Sequence, residues 1–298
     1  MKKISVILIL LAGILWGCLG IFVRTLNSSG ISSMQIVTLR AFVTTLGMFV
    51  FLLFYDRKLL KVNPRDLWCF AGTGICSILF FNFCYFKAIT LTTMSVAAVL
   101  LYTAPFFVML MSYVLFRESI TLRKICAIIM TVAGCALVTG IVGEGAGAVT
   151  PIGILTGLGA GFGYALYSIF SRFALKKNYH TFTITFYTFL FTSVGCLVFT
   201  DVRPVCGFLA GSSFNLLFAV AFGILGTVIP YITYTLGLKH VENGIASIIA
   251  SIEPVTATLI GIFLYHESLS AENVIGLVIV MTALVMTFAG DGKKAQEQ

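Results

Sequence analysis

The sequence predicts an all-α integral membrane protein, with ten transmembrane helices arranged as two inverted five-helix repeats around a central cavity. Three observations predict this. Of 298 residues, 59% are hydrophobic and only 10% charged, and the mean hydropathy is +1.05, so polar side chains are too few to solvate a soluble surface. The apolar residues fall into ten runs, each long enough to cross about 30 Å of hydrocarbon at about 1.5 Å per residue. The second half also repeats the first: Tyr85, Val96, Ala97, Pro105, Glu118 and Ser119 recur 149 positions later as Tyr234, Ile245, Ala246, Pro254, Glu267 and Ser268.

The runs lie at roughly 4 to 24, 32 to 55, 67 to 88, 93 to 116, 121 to 142, 151 to 175, 179 to 200, 213 to 237, 243 to 265 and 271 to 290. The first begins after Lys2 and Lys3 and imitates a signal peptide. It reads instead as a span, because it stays apolar through Val23, because Trp16 is bulky where a cleavage site wants a small residue, and because it has a repeat partner at 151 to 175. Near the two starts the offset slips by one, so that Gly13, Trp16, Phe22 and Arg24 face Gly161, Tyr164, Phe170 and Arg172. The second run carries Arg40, and the fourth and ninth carry Pro105 and Pro254 at equivalent places. Proline inside a span removes a donor and frees a carbonyl about one turn earlier, which the bundle has to satisfy. Pro230 in the eighth run has no counterpart, since Phe81 stands 149 positions earlier.

Residues 1–142 thus form one repeat and 151–290 the other, joined by a Gly-rich linker at 143–150, with a tail at 291–298. Five spans per half is an odd number, so the second half enters the membrane from the opposite side. Such inverted repeats place a binding site between the halves near the midplane. Glycines spaced by four, Gly13, Gly17 and Gly20 in the first run and Gly153, Gly157 and Gly161 in the sixth, let neighbouring backbones approach closely.

Orientation follows from the basic residues. With the N-terminus cytoplasmic, that side collects fifteen Lys and Arg, the other side collects Arg24, Lys87 and Arg203, and Arg40 remains inside a span. The positive-inside bias then puts both termini in the cytoplasm and the segment from Asp201 to Ser213 outside. The net charge of +8 is explained as an orientation signal, so no nucleic-acid partner is expected. Eight scattered cysteines with no C-x-x-C pair, and three histidines at helix ends, predict neither a disulfide framework nor a metal site, and no cofactor.

Two ionisable groups stand deep in the spans, Arg40 and Glu253. A charge at mid-bilayer costs about 2.5 to 3.5 kcal/mol even on insertion scales, so each is expected to face the interior. Their depths differ by only about 6 Å, which allows them to pair. Neither has a charged repeat partner: Thr188 or Phe189 matches Arg40, and Ala104 matches Glu253. Glu253 is a candidate for binding protons or a substrate ammonium. Trp16 and Tyr164 lie near the centre of their runs and are candidate cavity residues.

The stretch Thr103-Ala104-Pro105-Phe106-Phe107, running into Leu115-Phe116-Arg117-Glu118-Ser119-Ile120-Thr121, resembles the fourth-helix signature of the EamA family in the drug/metabolite transporter superfamily. Ser251-Ile252-Glu253-Pro254-Val255, running into Tyr265-His266-Glu267-Ser268-Leu269, looks like its second copy, and Trp16-Gly17 fits the opening helix. The resemblance covers the whole chain. It implies a basket of ten helices whose cavity is lined mainly by helices 1, 3, 4, 6, 8 and 9, and a plasma-membrane carrier that exports amino acids or other small metabolites. On those lining helices Asn82, Ser95, Tyr102, Tyr167, Ser168, Tyr231 and Ser247 are further candidate solute contacts. A mostly apolar cavity with a few oriented polar groups suits an amphipathic solute. Tyr85 and Tyr234, near opposite ends of helices 3 and 8, are candidate gates on the two sides.

The expected activity is therefore secondary transport of a small organic metabolite by alternating access, with lipid and solute as partners, proton coupling open, and a monomer or homodimer as the unit. An exchanger or channel-like permease for nucleotide-linked or phosphorylated metabolites is the alternative. An intramembrane enzyme would need a positioned base or metal set, yet no Asp lies deep in any run and no H-E-x-x-H motif occurs.

Overall fold

The computed structural model describes residues 2–138, 150–266 and 270–294. The long helices in chain order are α1 (Lys2–Ser28), α2 (Ser33–Tyr55), α3 (Pro64–Leu91), α4 (Met94–Phe116), α5 (Leu122–Val138), α6 (Pro151–Lys176), α7 (Thr181–Phe199), α8 (Ser213–Gly237), α9 (Asn243–Tyr265) and α10 (Ala271–Lys294). Among the described residues eight of these are long and apolar enough to cross a membrane, and α10 has a shorter apolar part, Ala271–Thr287. Ten spans were expected, and eight of the described helices reach spanning length and hydropathy. The run expected at 121 to 142 passes beyond Val138, and residues 139–142 lie outside the described residues. So do residues 143–149 of the linker, Glu267, Ser268 and the last four residues.

Local chemistry sets the helix ends. The Ser32 amide donates to Gln35 Oε1 at 2.9 Å at the start of α2, and Thr150 Oγ1 accepts from the Gly153 amide at 3.0 Å with Pro151 in the first turn of α6. Helices α4 and α9 both end on a residue in the left-handed conformation, Arg117 (φ 58) and His266 (φ 54), which stand at the 149-residue repeat offset.

The interruptions repeat as well. The two helical parts of α4 stop at Leu101 and resume at Ala104, and those of α9 stop at Ala250 and resume at Glu253. Pro105 and Pro254 fall in the first turn of each second part, where a missing amide does least harm. Helix α3 widens into a π-helical stretch at Gly72–Leu79 and α8 into one at Ile224–Val228. In α8 this precedes Pro230, whereas α3 widens with no proline, over a stretch holding Gly72 and Gly74. Helix α1 is broken at Cys18, while α6 runs unbroken.

The segment from Asp201 to Ser213, expected as an external loop, contains a short helix, Arg203–Gly211. Its Val205 is buried with Leu26, Leu39 and Phe222, and this apolar contact with the bundle is what orders it. In the bundle α5 packs on α10, α2 on α7, α3 and α4 on α6, and α1 on α8 and α9.

Small residues permit the tightest of these approaches. A Cβ on Gly13 would stand 2.5 Å from Ile252 Cγ2 and 2.8 Å from the Ala250 carbonyl oxygen. One on Gly161 would stand 2.7 Å from Thr103 Oγ1 and 2.8 Å from the Leu100 carbonyl oxygen. Each glycine thus faces the interruption in the opposite half. We expect Gly13→Ala and Gly161→Ala each to cost about 1–3 kcal/mol by overpacking, read as a lowered midpoint of thermal unfolding in detergent. Gly20→Ala, with nothing within 4 Å of its Cβ, should hold or raise the midpoint by the helix-propensity gain of about 0.5–1 kcal/mol. Equal losses in all three variants would contradict the packing argument.

Candidate functional site

Because α1, α3 and α6 meet at mid-length and α8 joins them over its last third, aromatic residues from separate parts of the chain come together. Trp16 is the hub: its ring lies 5.2 Å from that of Tyr231, 5.3 Å from Tyr234 and 6.2 Å from Tyr164. Tyr167 lies 4.9 Å from Tyr231, and Phe189 backs Tyr231 at 5.0 Å. Such offset and edge-on pairs hold rings in defined positions. Trp16, Tyr164, Tyr167, Ser168, Tyr231 and Tyr234 line one small central cavity, together with Ser77, Ile78 and Phe81 of α3.

A second cavity adjoins it across Tyr164. Tyr102, Pro105, Ser247 and Glu253 line it, with Ser251 and Ala250. The space open to the centre of a water-sized sphere is only about 20 Å³ in the first cavity and about 10 Å³ in the second, room for about one water each. The centre is therefore closed around its own side chains.

Several polar groups here are left with capacity. The Tyr167 hydroxyl bonds Thr235 Oγ1 and Ser168 Oγ bonds the Tyr234 hydroxyl, both at 2.8 Å. The Trp16 indole N–H, in contrast, is buried without an acceptor among the described residues. Glu253 accepts one long hydrogen bond, 3.4 Å from the Tyr164 hydroxyl. Among the described residues no carboxylate lies within 4.0 Å of Arg40, so the Arg40–Glu253 pair that depth allows is not formed. Arg40 is 7% exposed, beside Ala41, which packs into the aromatic cluster around Trp16. An unpaired buried group of this kind calls for a functional explanation.

The remaining candidates fall elsewhere. Asn82 is buried, and its Nδ2 donates to the Ile78 carbonyl of its own helix at 2.7 Å. Neither Ser95 nor Tyr85 lines either cavity. Tyr85 packs on Phe81 and Phe86, whereas Tyr234 sits on the central cavity itself. Of the helix-break candidates, Pro105 reaches a cavity and Pro230 and Pro254 are buried just beyond the interruptions of their helices.

Sequence reasoning missed a polar cluster at one end of the bundle. Glu118, just past the end of α4, accepts hydrogen bonds from the backbone amides of Asn243 (2.9 Å) and Gly244 (3.2 Å) at the start of α9. Arg172 near the end of α6 stands 3.6 Å from Glu118 and donates to Asn243 Oδ1 at 2.9 Å and to the Val241 carbonyl. Lys124 of α5 pairs with Glu242 and donates to the Ser119 carbonyl at 2.7 Å. A carboxylate on a helix N-terminus is favourable electrostatically, and the whole knot ties α4, α5, α6 and α9 together. The available signal was the recurrence of Glu118 and of Arg172 within the repeat.

Comparison with known proteins adds the following. A profile described as the EamA-like transporter family matches residues 3–140 and again 151–289. An uncharacterized transporter of Archaeoglobus fulgidus is 28% identical over 94% of each chain. The uncharacterized transporter YxxF of Bacillus subtilis is 25% identical over 99% of this chain and 92% of its own. A solved crystal structure, 20% identical over 96% of both chains, superposes with a TM-score of 0.76 and shows the fold alone.

Removing Glu118 tests the knot. Glu118→Ala deletes two charge-assisted hydrogen bonds and strips Arg172 of its carboxylate, and the expected cost is about 3 kcal/mol, read as a lowered unfolding midpoint. Lys177→Ala breaks an ion pair to Asp66 of 2.7 Å whose lysine is 40% exposed, and should lower the midpoint far less, because solvent screens an exposed pair. Equal effects from the two would contradict the burial argument.

Proposed function

The chain belongs to the EamA-like transporter family, and on that premise we propose that it moves a small amphipathic organic solute, amino-acid-like in size, across the plasma membrane by alternating access. It is a multi-pass membrane protein and a transporter. The observation that carries the finer reading is the closed aromatic centre, built around Trp16 with an orphaned indole N–H, an unpaired Arg40 nearby and Glu253 held by one long bond. Aromatic walls take the apolar part of a solute, and the few unsatisfied polar groups fix its orientation. Ions alone would call for rings of carbonyls or carboxylates. Export is the direction that family resemblance implies.

Ten helices in two inverted repeats, residues 1–142 and 151–290, are the architecture this reading requires. Exchanging the halves turns the α3–α6 contact into α8–α1, turns α4–α6 into α9–α1, and returns α2–α7 and α5–α10 to themselves. The interruptions of α4 and α9, the left-handed caps at Arg117 and His266, and the Gly13 and Gly161 approaches obey the same exchange. Two halves so related can rock about a midplane site. With both termini cytoplasmic, the Glu118–Arg172–Lys124 knot lies on the cytoplasmic side and closes it in this state. Opening inward then requires Glu118 to release the start of α9.

Glu253 is the proton-coupling candidate, since a carboxyl without an ion pair can bind a proton and a solute group by turns. In proteoliposomes, a screen of labelled amino acids and small organic metabolites should yield one that shows saturable counterflow. Glu253→Gln should abolish its stimulation by a pH gradient while leaving counterflow measurable. Linear, non-saturating flux would favour a channel, and unchanged gradient dependence in the folded Gln variant would remove Glu253 from coupling.

Orientation is testable at Cys206, an exposed native thiol on the short helix Arg203–Gly211. A membrane-impermeant maleimide should label intact cells and fail on Cys206→Ser. Labelling of Cys206 only after permeabilisation would reverse the topology.

A further inference from the structure

A groove of about 1120 Å³ runs along α2, α7 and α8 on the outside of the bundle, apart from the central cavities. It follows α2 from Phe42 to Phe51 and α7 from Phe182 to Leu197, and the second stretch rises roughly 22 Å. Its walls are almost wholly apolar, and two of its few polar residues, Thr45 and Ser193, hydrogen-bond each other at 3.1 Å. The volume exceeds the usual small-molecule pocket of roughly 300–1,000 Å³, yet nothing in the walls could orient a polar ligand.

One end of the groove differs from the rest. The rings of Phe51, Tyr55 and Phe182 stand 5.1 to 5.6 Å apart there, an aromatic belt of the kind found at headgroup level. Beyond it lie Arg57 and Lys58, directly after α2, and Lys239, just after α8. Arg57 Nε donates to the Leu53 carbonyl at 3.1 Å, which holds this side chain against the end of α2. The imidazole of His180, beside Phe182 at 4.6 Å, is pushed below its ordinary pKa first by burial and then by the charge of Lys239, which places Lys239 at the same end. The acid there, Asp56, accepts from the Lys58 backbone amide at 2.9 Å, and among the described residues neither Lys58 nor Lys239 has an acidic partner within 4.0 Å.

We propose that this groove holds an acyl chain of an anionic phospholipid, with its headgroup phosphate seated among Arg57, Lys58 and Lys239. The apolar length lies at hydrocarbon depth and the positive rim lies where headgroups lie. Basic residues at a membrane surface attract anionic lipid, whereas a zwitterionic lipid fills the groove equally and gains little from the rim. A second copy of the chain docking here by two-fold symmetry would set the same basic rim against itself.

Native mass spectrometry of the full chain in mild detergent, supplemented with phosphatidylglycerol or with phosphatidylcholine of matched chains, tests this. One phosphatidylglycerol should be retained well above phosphatidylcholine. The triple variant Arg57→Gln, Lys58→Gln, Lys239→Gln should lose that preference, by roughly fivefold per charge removed. Gly47→Leu fills the groove at a position whose Cβ meets nothing within 4 Å, so the fold is kept and both lipids should be lost. Equal retention of the two lipids by the native chain, undiminished phosphatidylglycerol on Gly47→Leu, or a lipid-free dimer would each overturn the proposal.

Discussion

Inside hydrocarbon an unpaired backbone amide or carbonyl has no water to bond, and every departure from regular helix must therefore be covered by protein. That constraint organises this molecule. The helical breaks at Tyr102–Thr103 and Ser251–Ile252 fall where helices of the opposite half press closest, at Gly161 and Gly13. The widened turns of α3 and α8 end at Leu79 and Val228, next to the same centre. The two helical breaks are thus covered by the opposite half, while the widened turns of α3 and α8 keep one face on the bundle and turn Ile75, Ile224 and Leu225 outward. Glycine, proline and small hydroxyls are found at the breaks because only they allow the approach.

Upon this shared frame the two halves differ in charge. Arg40 has Phe189 or Thr188 as its counterpart, and Glu253 has Ala104. The differences leave an acid on one side of the aromatic cluster and a guanidinium beside Ala41, not bonded to each other. Their separation is consistent with a centre that meets the polar ends of a solute rather than its own opposite charge. The Glu118 knot is a different kind of polar structure: its charges are paired and hydrogen-bonded across four helices, part-buried at a helix end, and Asn243 Nδ2 is left without an acceptor among the described residues.

Much of this was legible in the sequence. Apolar run lengths gave the helices, and the repeat placed Pro105 with Pro254 at an offset of 149 and Trp16 with Tyr164 at 148, because both signals are local or periodic. What could not be read depends on contacts across the chain. Glu118 meets Asn243 from 125 residues away, and no spacing announces that. Asn82 was a candidate solute contact but bonds its own helix, a choice made by rotamer and not by position. The short helix Arg203–Gly211 has too few apolar residues to register as a run, and it is ordered by burying Val205 against α2 and α8. Tyr85 and Tyr234 share a repeat position, yet only Tyr234 reaches the cavity.

The central claim is that the solute binds against Trp16. The chain has two tryptophans, and Trp68 lies apart, packed on Phe170 and Phe173. In a Trp68→Phe variant the intrinsic emission therefore reports on the centre alone. Titration with the solute identified by counterflow should change that emission saturably, with a half-saturating concentration matching that of exchange. Full transport by the variant with no change in Trp16 emission at saturating solute would contradict the account.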